Sequence, residues 1–436
     1  MVAQARPPIP PLPTVKYVED GPSIKVGKEE APRSQESTHS EILAAAFSTA
    51  VALDFSVTAD GRVESAQEDI DIKDYEEFRQ KHRKDQYQQD ALSYKQRFEM
   101  FQRNKALVTA HNAREGITWT AAVNVFADYT DAEFKALLGH RRLGRWWLPR
   151  PSLRQQASGV VRRVHEELAA EVDWRRNLVT TNFVHQQGSC GSCWAVAAAG
   201  AIEIHAEIAL RKQNQQHRDK VPRNVSFKQL VDCTPNPEHC GGEGGCQGAT
   251  SELAFDYTSQ HGIYDADHYA GNINKDEACK AASKKSSPYI QIRGYVRLET
   301  NKLKPLMEAL ANVGPVSVSV DASSWNLYGG GIFNDCKRDS IVNHAVLAVG
   351  YGRDSKSGLT YWLIRNSWGP EWGEKGFVRL QRHAADDGKW DDGYCGFDSD
   401  PQQGTGCDGG PSTAPVCGMC GVLSDSSYPK DVTVSH

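Results

Sequence analysis

The chain has 436 residues, of which 24% are charged, and a formal net charge of −5 at pH 7. This length exceeds one ordinary hydrophobic core, so we expect two or three folding units. The small net charge provides no basic footprint for nucleic acid, and no apolar run approaches the roughly 20 residues that span a bilayer. We therefore predict no nucleic-acid partner and no stable membrane span.

The N-terminal extension, residues 1–65, begins with a proline-rich stretch and continues with polar and charged residues. This composition predicts a disordered segment. Residues 42–53 within it are apolar and about as long as the core of a signal peptide, although they lie well inside the chain. A late signal or anchor, a true start further along the chain, and a short amphipathic helix are the interpretations that the sequence allows.

Residues 66–139 have a pattern typical of a small helical domain. Apolar residues recur three, four and seven positions apart over its first half, which predicts helices. Trp119–Phe126 alternates partly, as a short strand does, and the capping box that starts at Thr130 predicts another helix. Residues 140–168 are rich in arginine and contain prolines that break any helix, so we predict an exposed basic linker.

The stretch from Gln187 to Trp194 is the most informative in the chain. Cys193 directly precedes an Ala-rich run that ends in cations at Lys212, which predicts a largely buried helix. Cys193 would lie in its first turn, where unpaired N–H groups and the helix dipole favour a thiolate over a thiol. After Pro288 the chain changes to alternating and β-rich runs, which predict an antiparallel sheet or barrel. A helical half packed on a β half leaves a cleft between them.

The motif Cys190-Gly-Ser-Cys193-Trp194 resembles the nucleophile motif of the papain family of cysteine proteases. The upstream region resembles the inhibitory propeptide of that family, although Ser93 replaces the leading Glu of one motif and Ala122 replaces the Gly of another. The matching positions of the long propeptide helix are Arg97, Phe101, Asn104, Val108 and Asn112, and the second motif is residues 122–128.

This resemblance implies an α+β fold of papain-like, two-lobed architecture. It consists of a helical lobe and an antiparallel, β-barrel-like lobe, preceded by a helical inhibitory prodomain. The implied domains are an inhibitory propeptide at residues 66–139, a basic propeptide linker at residues 140–168 and a papain-like peptidase domain at residues 169–436. The peptidase domain carries an insertion at about residues 383–419.

The resemblance also implies four catalytic residues. Cys193 is the nucleophile, and His344 opens a strand in the other lobe and acts as the base. Asn366 orients the imidazole, and the side-chain amide of Gln187 stabilises the oxyanion together with the backbone N–H of Cys193. We expect the thiol and the imidazole to rest as thiolate and imidazolium. Asn343 stands before the histidine where many relatives carry Asp.

Substrate-binding positions follow from the same resemblance. Asp425 falls at the floor of the second specificity pocket, where an acid would pair with a basic side chain; the alternative is that it points to solvent. The full set is Gly248, Ala249, Thr250, Ser319, Val342, Trp368 and Asp425.

Eleven cysteines fit several disulfides plus one working thiol and favour an oxidising compartment. The resemblance implies the pairs Cys190–Cys246, Cys233–Cys279 and Cys336–Cys420. Four cysteines have no assignable partner: Cys240, Cys395, Cys407 and Cys417. Cys417-Gly-Met-Cys420 has zinc-ligand spacing, but extra disulfides that staple the insertion are favoured, so we predict no metal and no cofactor.

The sequence therefore predicts a cysteine endopeptidase that hydrolyses proteins and peptides and is made as a zymogen inhibited by its own propeptide. We expect a monomer in the secretory pathway, in a lysosome or vacuole or outside the cell. The alternative is a catalytically silent, papain-fold binding or inhibitory protein, which the complete set of site residues disfavours.

Overall fold

The computed structural model describes residues 62–83, 92–139, 168–212, 224–280, 289–383 and 393–435. The chain divides into two units, residues 1–67 and 68–436. The first unit contributes only the beginning of one helix to the described residues. The predicted disordered extension, the apolar segment 42–53 and almost all of the basic linker lie outside the described residues.

Two helices and a short strand form the first part of the second unit. Helix α1 spans Arg62–His82 and helix α2 spans Tyr94–Asn112. They pack through a small aromatic core of Tyr75, Phe78 and Phe101. Ser93 caps α2 in a capping box with Gln96, so the residue that replaces the expected Glu begins the helix instead.

Strand β1 (Trp119–Ala121) and helix α3 (Asp131–Leu137) follow, and α3 starts at the predicted capping box of Thr130 and Glu133. The strand is shorter than the predicted Trp119–Phe126, since the chain turns after Ala121. It pairs with a strand of the β lobe. This region is therefore joined to the rest of the chain through a shared sheet.

The helical lobe is built around helix α4, Cys193–Lys212, which begins and ends as the sequence predicts. Its small alanine side chains allow α5 (Phe227–Cys233) and α6 (Ser251–His261) to pack closely on it. By length and composition, α4 is the one described helix that could cross a membrane, yet 89% of its apolar window is buried inside the protein. It is therefore the core helix of this lobe.

The β lobe consists mainly of a nine-stranded sheet that includes β1. The strands that follow β1 along the chain are β2 (Val172–Asp173), β3 (Ile290–Gln291), β4 (Tyr295–Arg297), β5 (Val316–Val320), β6 (Tyr328–Phe333), β7 (His344–Arg353), β8 (Thr360–Arg365), β9 (Phe377–Gln381), β10 (Cys395–Asp398), β11 (Ala414–Cys417), β12 (Ser426–Pro429) and β13 (Thr433–Val434).

The strand order of the nine-stranded sheet is β1-β6-β9-β8-β7-β5-β12-β4, and β2 pairs with β7 beside this path. The pairing is antiparallel except between β6 and β9, where it is parallel. The predicted antiparallel lobe is therefore present, but within the described residues its sheet does not close into a barrel between β1 and β4. Helix α7 (Leu303–Asn312) packs on β5 and β7.

The part of the predicted insertion that the structure describes contains a hairpin. Strands β10 and β11 pair antiparallel with each other, and the chain between them forms a long loop with one short 3-10 turn at Pro401–Gln403. The C-terminal strand β13 pairs with β3. The cleft of interest lies where α4 of the helical lobe meets β7 of the β lobe.

Candidate active site

Cys193 is the first residue of α4 and is the one cysteine of the chain that is free. It is buried, and its Sγ accepts a hydrogen bond from the backbone N–H of Ala345 at 3.4 Å. Gly191 allows the backbone to approach Cys246 closely just before the helix, because a Cβ there would lie 2.6 Å from the carbonyl oxygen of Cys246. The thiol is thus held between the start of α4 and the start of β7 in the other lobe.

His344 begins β7, and its ring is fixed by two neighbours. Its Nε2 lies 2.8 Å from Oδ1 of Asn366, and the ring stacks on Trp368 with centroids 4.8 Å apart. Oδ1 of Asn366 also accepts the backbone N–H of Ser367 at 2.7 Å, so Nε2 must be the donor. In the neutral ring the proton therefore sits on Nε2. Nδ1 is buried, has no hydrogen-bond partner among the described residues and is able to accept a proton.

Burial acts against the predicted charge state of the pair. It raises the pKa of Cys193 to about 11, against the opposing effect of nearby backbone N–H groups. Burial also lowers the pKa of His344 to about 4. Both shifts favour the neutral thiol and the neutral imidazole in this covered form, which is the direction opposite to the predicted thiolate and imidazolium. The physical reason is that burial withdraws the solvation that stabilises a charged form.

The cover is residues 137–139, which begin at the last residue of α3 and run through the cleft. A Cβ on Gly139 would lie 3.4 Å from Sγ of Cys193, and one on Gly248 would lie 1.6 Å from the carbonyl oxygen of Gly139. Leu138 and Gly139 line the same cavity as Cys193 and His344. Only about 10 Å³ of space remains in it. The chain upstream of the peptidase region therefore fills its cleft.

The same segment also uses the amide of Gln187. Its Nε2 donates to the carbonyl oxygens of Leu137 and Cys190, both at 2.8 Å. Its Oε1 accepts the hydroxyl of Ser367 at 2.6 Å, which sets the orientation of the amide. Sequence reasoning missed this role of Ser367, although its place beside Asn366 was a usable signal. A carbonyl oxygen of the covering segment thus occupies the amide group predicted to bind an oxyanion.

Aromatic side chains anchor the covering domain beside the site. Phe126 and Phe134 make edge contacts with Trp368, with centroids 5.1 and 5.3 Å away. Trp119 of β1 packs against Phe333 of β6 at 4.9 Å. Since Trp368 also stacks on His344, these contacts place the covering domain one ring away from the imidazole.

Two ion pairs hold the covering domain together, one partly exposed at Glu133 and one buried. Arg97 donates to both carboxylate oxygens of Glu133, at 2.5 and 2.7 Å, and to the carbonyl oxygen of Asp128 at 3.0 Å. Arg83 pairs with the buried carboxylate of Asp128. Burial opposes ionisation of Glu133, but the bonds from Arg97 and Thr130 outweigh it and hold the pKa of Glu133 below its usual value.

The predicted substrate-binding residues fall into three places. Gly248, Ala249, Thr250 and Ser319 line the cleft cavity with the thiol and the imidazole. Trp368 stacks on the imidazole. Val342 is buried. It lines neither this cavity nor the second cavity, which is lined by Asp425.

Asp425 lies in a second, larger cavity of about 290 Å³, which it shares with Thr250, Glu252 and Arg297. It is 6% exposed and accepts bonds from Ser319 at 3.0 Å and Arg297 at 3.2 Å, so the solvent-facing alternative is wrong. Glu252 was missed at the sequence level. Burial, and then the charge of Asp425, raises the pKa of Glu252 to about 7.

Ten cysteines form five disulfides. Three are the pairs that the resemblance implied, Cys190–Cys246, Cys233–Cys279 and Cys336–Cys420. The four unassigned cysteines form Cys240–Cys407 and Cys395–Cys417. The zinc alternative for Cys417 and Cys420 is wrong, because both sulfur atoms are in disulfides and a metal needs a thiolate.

The chain is similar to known proteins along most of its described length. The family described as papain family cysteine protease matches residues 168–411, and the cathepsin propeptide inhibitor domain (I29) matches residues 75–134. Cathepsin L1 of Drosophila melanogaster is 34% identical over 72% of this chain and 82% of its own. A cathepsin L-like proteinase of Phaedon cochleariae is 35% identical over 66% of this chain and 82% of its own. The solved structure of digestive procathepsin L 3 from Tenebrio molitor larval midgut has a TM-score of 0.59 and 27% identity, over 83% of this chain and 99% of that chain. The recombinant stem bromelain precursor has a TM-score of 0.60 and 26% identity, over 83% and 98%.

Proposed function

Since the chain belongs to the papain family of cysteine proteases, we propose that four of its residues carry out the hydrolysis of peptide bonds. The enzyme is a cysteine endopeptidase, and its I29 domain is an intramolecular inhibitor. We assign Cys193 as nucleophile, His344 as general base and acid, Asn366 as the residue that positions the imidazole, and Gln187 as an oxyanion donor.

The observation that carries this assignment is the fixed imidazole of His344. Its Nε2 is bonded to Asn366, its face is covered by Trp368, and its second nitrogen has no partner among the described residues. The next residue along β7 donates its N–H to the sulfur of Cys193. A ring held in this way can take the proton of the thiol when the sulfur comes within hydrogen-bond reach of Nδ1.

The reaction then proceeds in two halves. His344 takes the proton of the thiol, and the sulfur of Cys193 attacks the carbonyl carbon of the substrate. The oxyanion that forms is stabilised by the amide of Gln187 and the backbone N–H of Cys193. His344 returns its proton to the leaving amine, which leaves a thioester. It then activates water, which releases the acid and restores the thiol.

Inhibition by the I29 domain follows from the same groups. The carbonyl oxygen of Leu137 takes a donor that the oxyanion requires, and Gly139 fills the space beside the sulfur. The cover also favours the neutral thiol and the neutral imidazole. The precursor therefore lacks a free donor and room for a substrate, and burial disfavours a charged nucleophile.

The cavity lined by Asp425 supports a preference for substrates with a basic side chain two residues before the cut. Four carboxyl groups and one guanidinium line it: Glu238, Glu252, Asp408, Asp425 and Arg297. A volume of about 290 Å³ has room for a long side chain beyond Thr250. We propose that this cavity accepts Arg as well as Leu, with Asp425 as its floor. The bond from Arg297 reduces the charge that Asp425 offers, so Glu252 contributes to the acceptance.

We also propose that the enzyme is a monomer in the secretory pathway, lysosomal, vacuolar or extracellular. Five disulfides support an oxidising compartment, because such bonds rarely persist in the cytosol.

Labelling of the activated protein tests the assignment. An epoxide that alkylates thiolates should modify Cys193 alone, as seen by peptide mapping, and should abolish hydrolysis. Incubation of the precursor at about pH 4–5 should remove the residues before about 168. The matched variant Cys193→Ser should take up no label and should not process itself. Equal self-processing by this variant, or activity that survives complete labelling, would show that the assignment is wrong.

A further inference from the structure

The loop of the insertion, residues 401–410, crosses from one lobe to the other, and we name it the strap. It grows from the β10–β11 hairpin of the β lobe, and its Cys407 is bonded to Cys240 in the loop that follows α5 of the helical lobe. Two backbone hydrogen bonds fix the same tip. Gly241 donates to Gly406 at 2.9 Å, and Asp408 donates to Glu238 at 2.8 Å.

The strap fills the gap between the lobes beside the catalytic residues. A Cβ on Gly404 would lie 2.2 Å from the carbonyl oxygen of Val342, two residues before His344. On the other side, a Cβ on Gly241 would lie 2.4 Å from the carbonyl oxygen of Gly404. Gly404 also lines the cavity that holds the thiol. The strap is therefore in van der Waals contact with both walls of the cleft.

The covering segment marks the path of a chain through this cleft. It runs from Gln187, which binds Leu137, past the sulfur of Cys193 to Gly248, which touches Gly139. The carbonyl oxygen of Gly241 lies 2.4 Å from where a Cβ on Gly248 would be. A chain that reaches Gly248 therefore meets the bridge between Gly241 and the strap within about one or two residue lengths of roughly 3.3 Å.

Removal of the prodomain does not remove the strap. Both of its attachments lie after residue 168, and disulfides Cys395–Cys417 and Cys336–Cys420 also hold the base of its hairpin. Acid-labile ion pairs hold the covering segment, whereas covalent bonds hold the strap. The mature enzyme keeps it.

We propose that the strap closes the cleft beyond the second subsite. On the side of the residues that precede the cut, the cleft therefore binds only two residues. A 2.9 Å N–H···O bond leaves no passage for a peptide, because even paired strands need about 4.7 Å between them. The third preceding residue must turn out toward solvent and gains no contacts along the cleft. This proposal rests on the proposed function, which assigns Gly248, Ala249 and Thr250 to the side of the residues that precede the cut.

A series of N-acetylated substrates tests it. All members carry Phe-Arg before the reporter group, and they have no, one or two further alanines before the Phe. For the mature parent we expect kcat/KM to change by no more than about threefold along the series. One productive contact with an added residue would change kcat/KM about tenfold. In the double variant Cys240→Ser/Cys407→Ser, which releases the tip, kcat/KM should rise about tenfold from the shortest to the longest member.

The double variant Cys233→Ser/Cys279→Ser is the matched control, because it removes a disulfide within the helical lobe and should give a flat series. A mature parent whose kcat/KM rises tenfold or more along the series would overturn the proposal. A released variant that is active but whose kcat/KM stays constant along the series would also overturn it. If the released variant does not fold, the parent series decides alone. Hydrolysis of the shortest member, lost in Cys193→Ser, reports on the proposed function separately.

Discussion

Substitution of Phe134 by alanine should loosen the cover of the active site. Phe134 is 6% exposed and packs on Phe126 within the prodomain and on Trp368 of the peptidase, with centroids 5.2 and 5.3 Å away. Truncation of a buried Phe to Ala costs about 3–5 kcal/mol. One of the two ring contacts crosses to the peptidase, so we assign about half of this cost, about 2 kcal/mol, to the docking of the cover. The open fraction of the precursor should then rise about 30-fold.

The rate at which a neutral reagent alkylates Cys193 in the intact precursor measures this fraction, since the covered thiol cannot react. The labelled band should be quantified at 48.1 kDa, at neutral pH and before any processing. Val123→Ala is the control, because Val123 is an apolar prodomain residue that is 39% exposed, and its loss should leave the rate unchanged. A Phe134→Ala rate within about twofold of the parent, less than 0.5 kcal/mol, would refute the argument that this contact holds the cover in place.

Three further predictions concern charge and hydrogen bonding at the site. The pKa of Glu133 is depressed, so its ion pair with Arg97 stabilises the prodomain fully at pH values above the ordinary pKa of Glu. This stabilisation is lost as pH falls through the depressed pKa, so the Glu133→Gln precursor should begin processing at a higher pH than the parent. An unchanged onset of processing on gels would contradict this. Gln187→Ala should lower kcat of the activated enzyme by about 10²–10³ with a smaller change in KM, and a loss confined to KM would contradict an oxyanion role. Asp425→Asn should lower the ratio of kcat/KM for an Arg-Arg substrate to kcat/KM for a Phe-Arg substrate about tenfold. In the parent this ratio should rise with pH through about 7 as Glu252 ionises, and a ratio that responds to neither change would contradict the acidic cavity.

Local sequence signals were sufficient where the structure depends on local chemistry. Helix α4 starts at Cys193 and stops at Lys212 because an alanine-rich apolar face and a cationic end define it. Strand β7 starts at His344, as the β-rich run after Asn343 predicts. The capping box at Thr130 was readable for the same reason, since its bonds join residues three apart.

Interactions between distant segments were not readable. Cys240 and Cys407 are 167 residues apart, and spacing alone does not select one pairing among several. The environment of Asp425 depends on Ser319 from β5 and Arg297 from β4, which meet only after the sheet has formed. The effect of burial on the pKa values of the catalytic pair was not readable, because the sequence gives the residues but not the degree to which the cover buries them.

The two covers of the cleft differ in what can remove them. Acid protonates Glu133 and ends its pair with Arg97, so falling pH weakens the contacts that keep Leu137 on the amide of Gln187. Once that segment leaves, water reaches the sulfur and the imidazole, and the burial that favours their neutral forms is relieved. Acid cannot break the disulfide at Cys407. The same fall in pH that frees the catalytic groups therefore leaves the strap across the cleft, so activation restores reactivity without widening the range of residues that the cleft can bind.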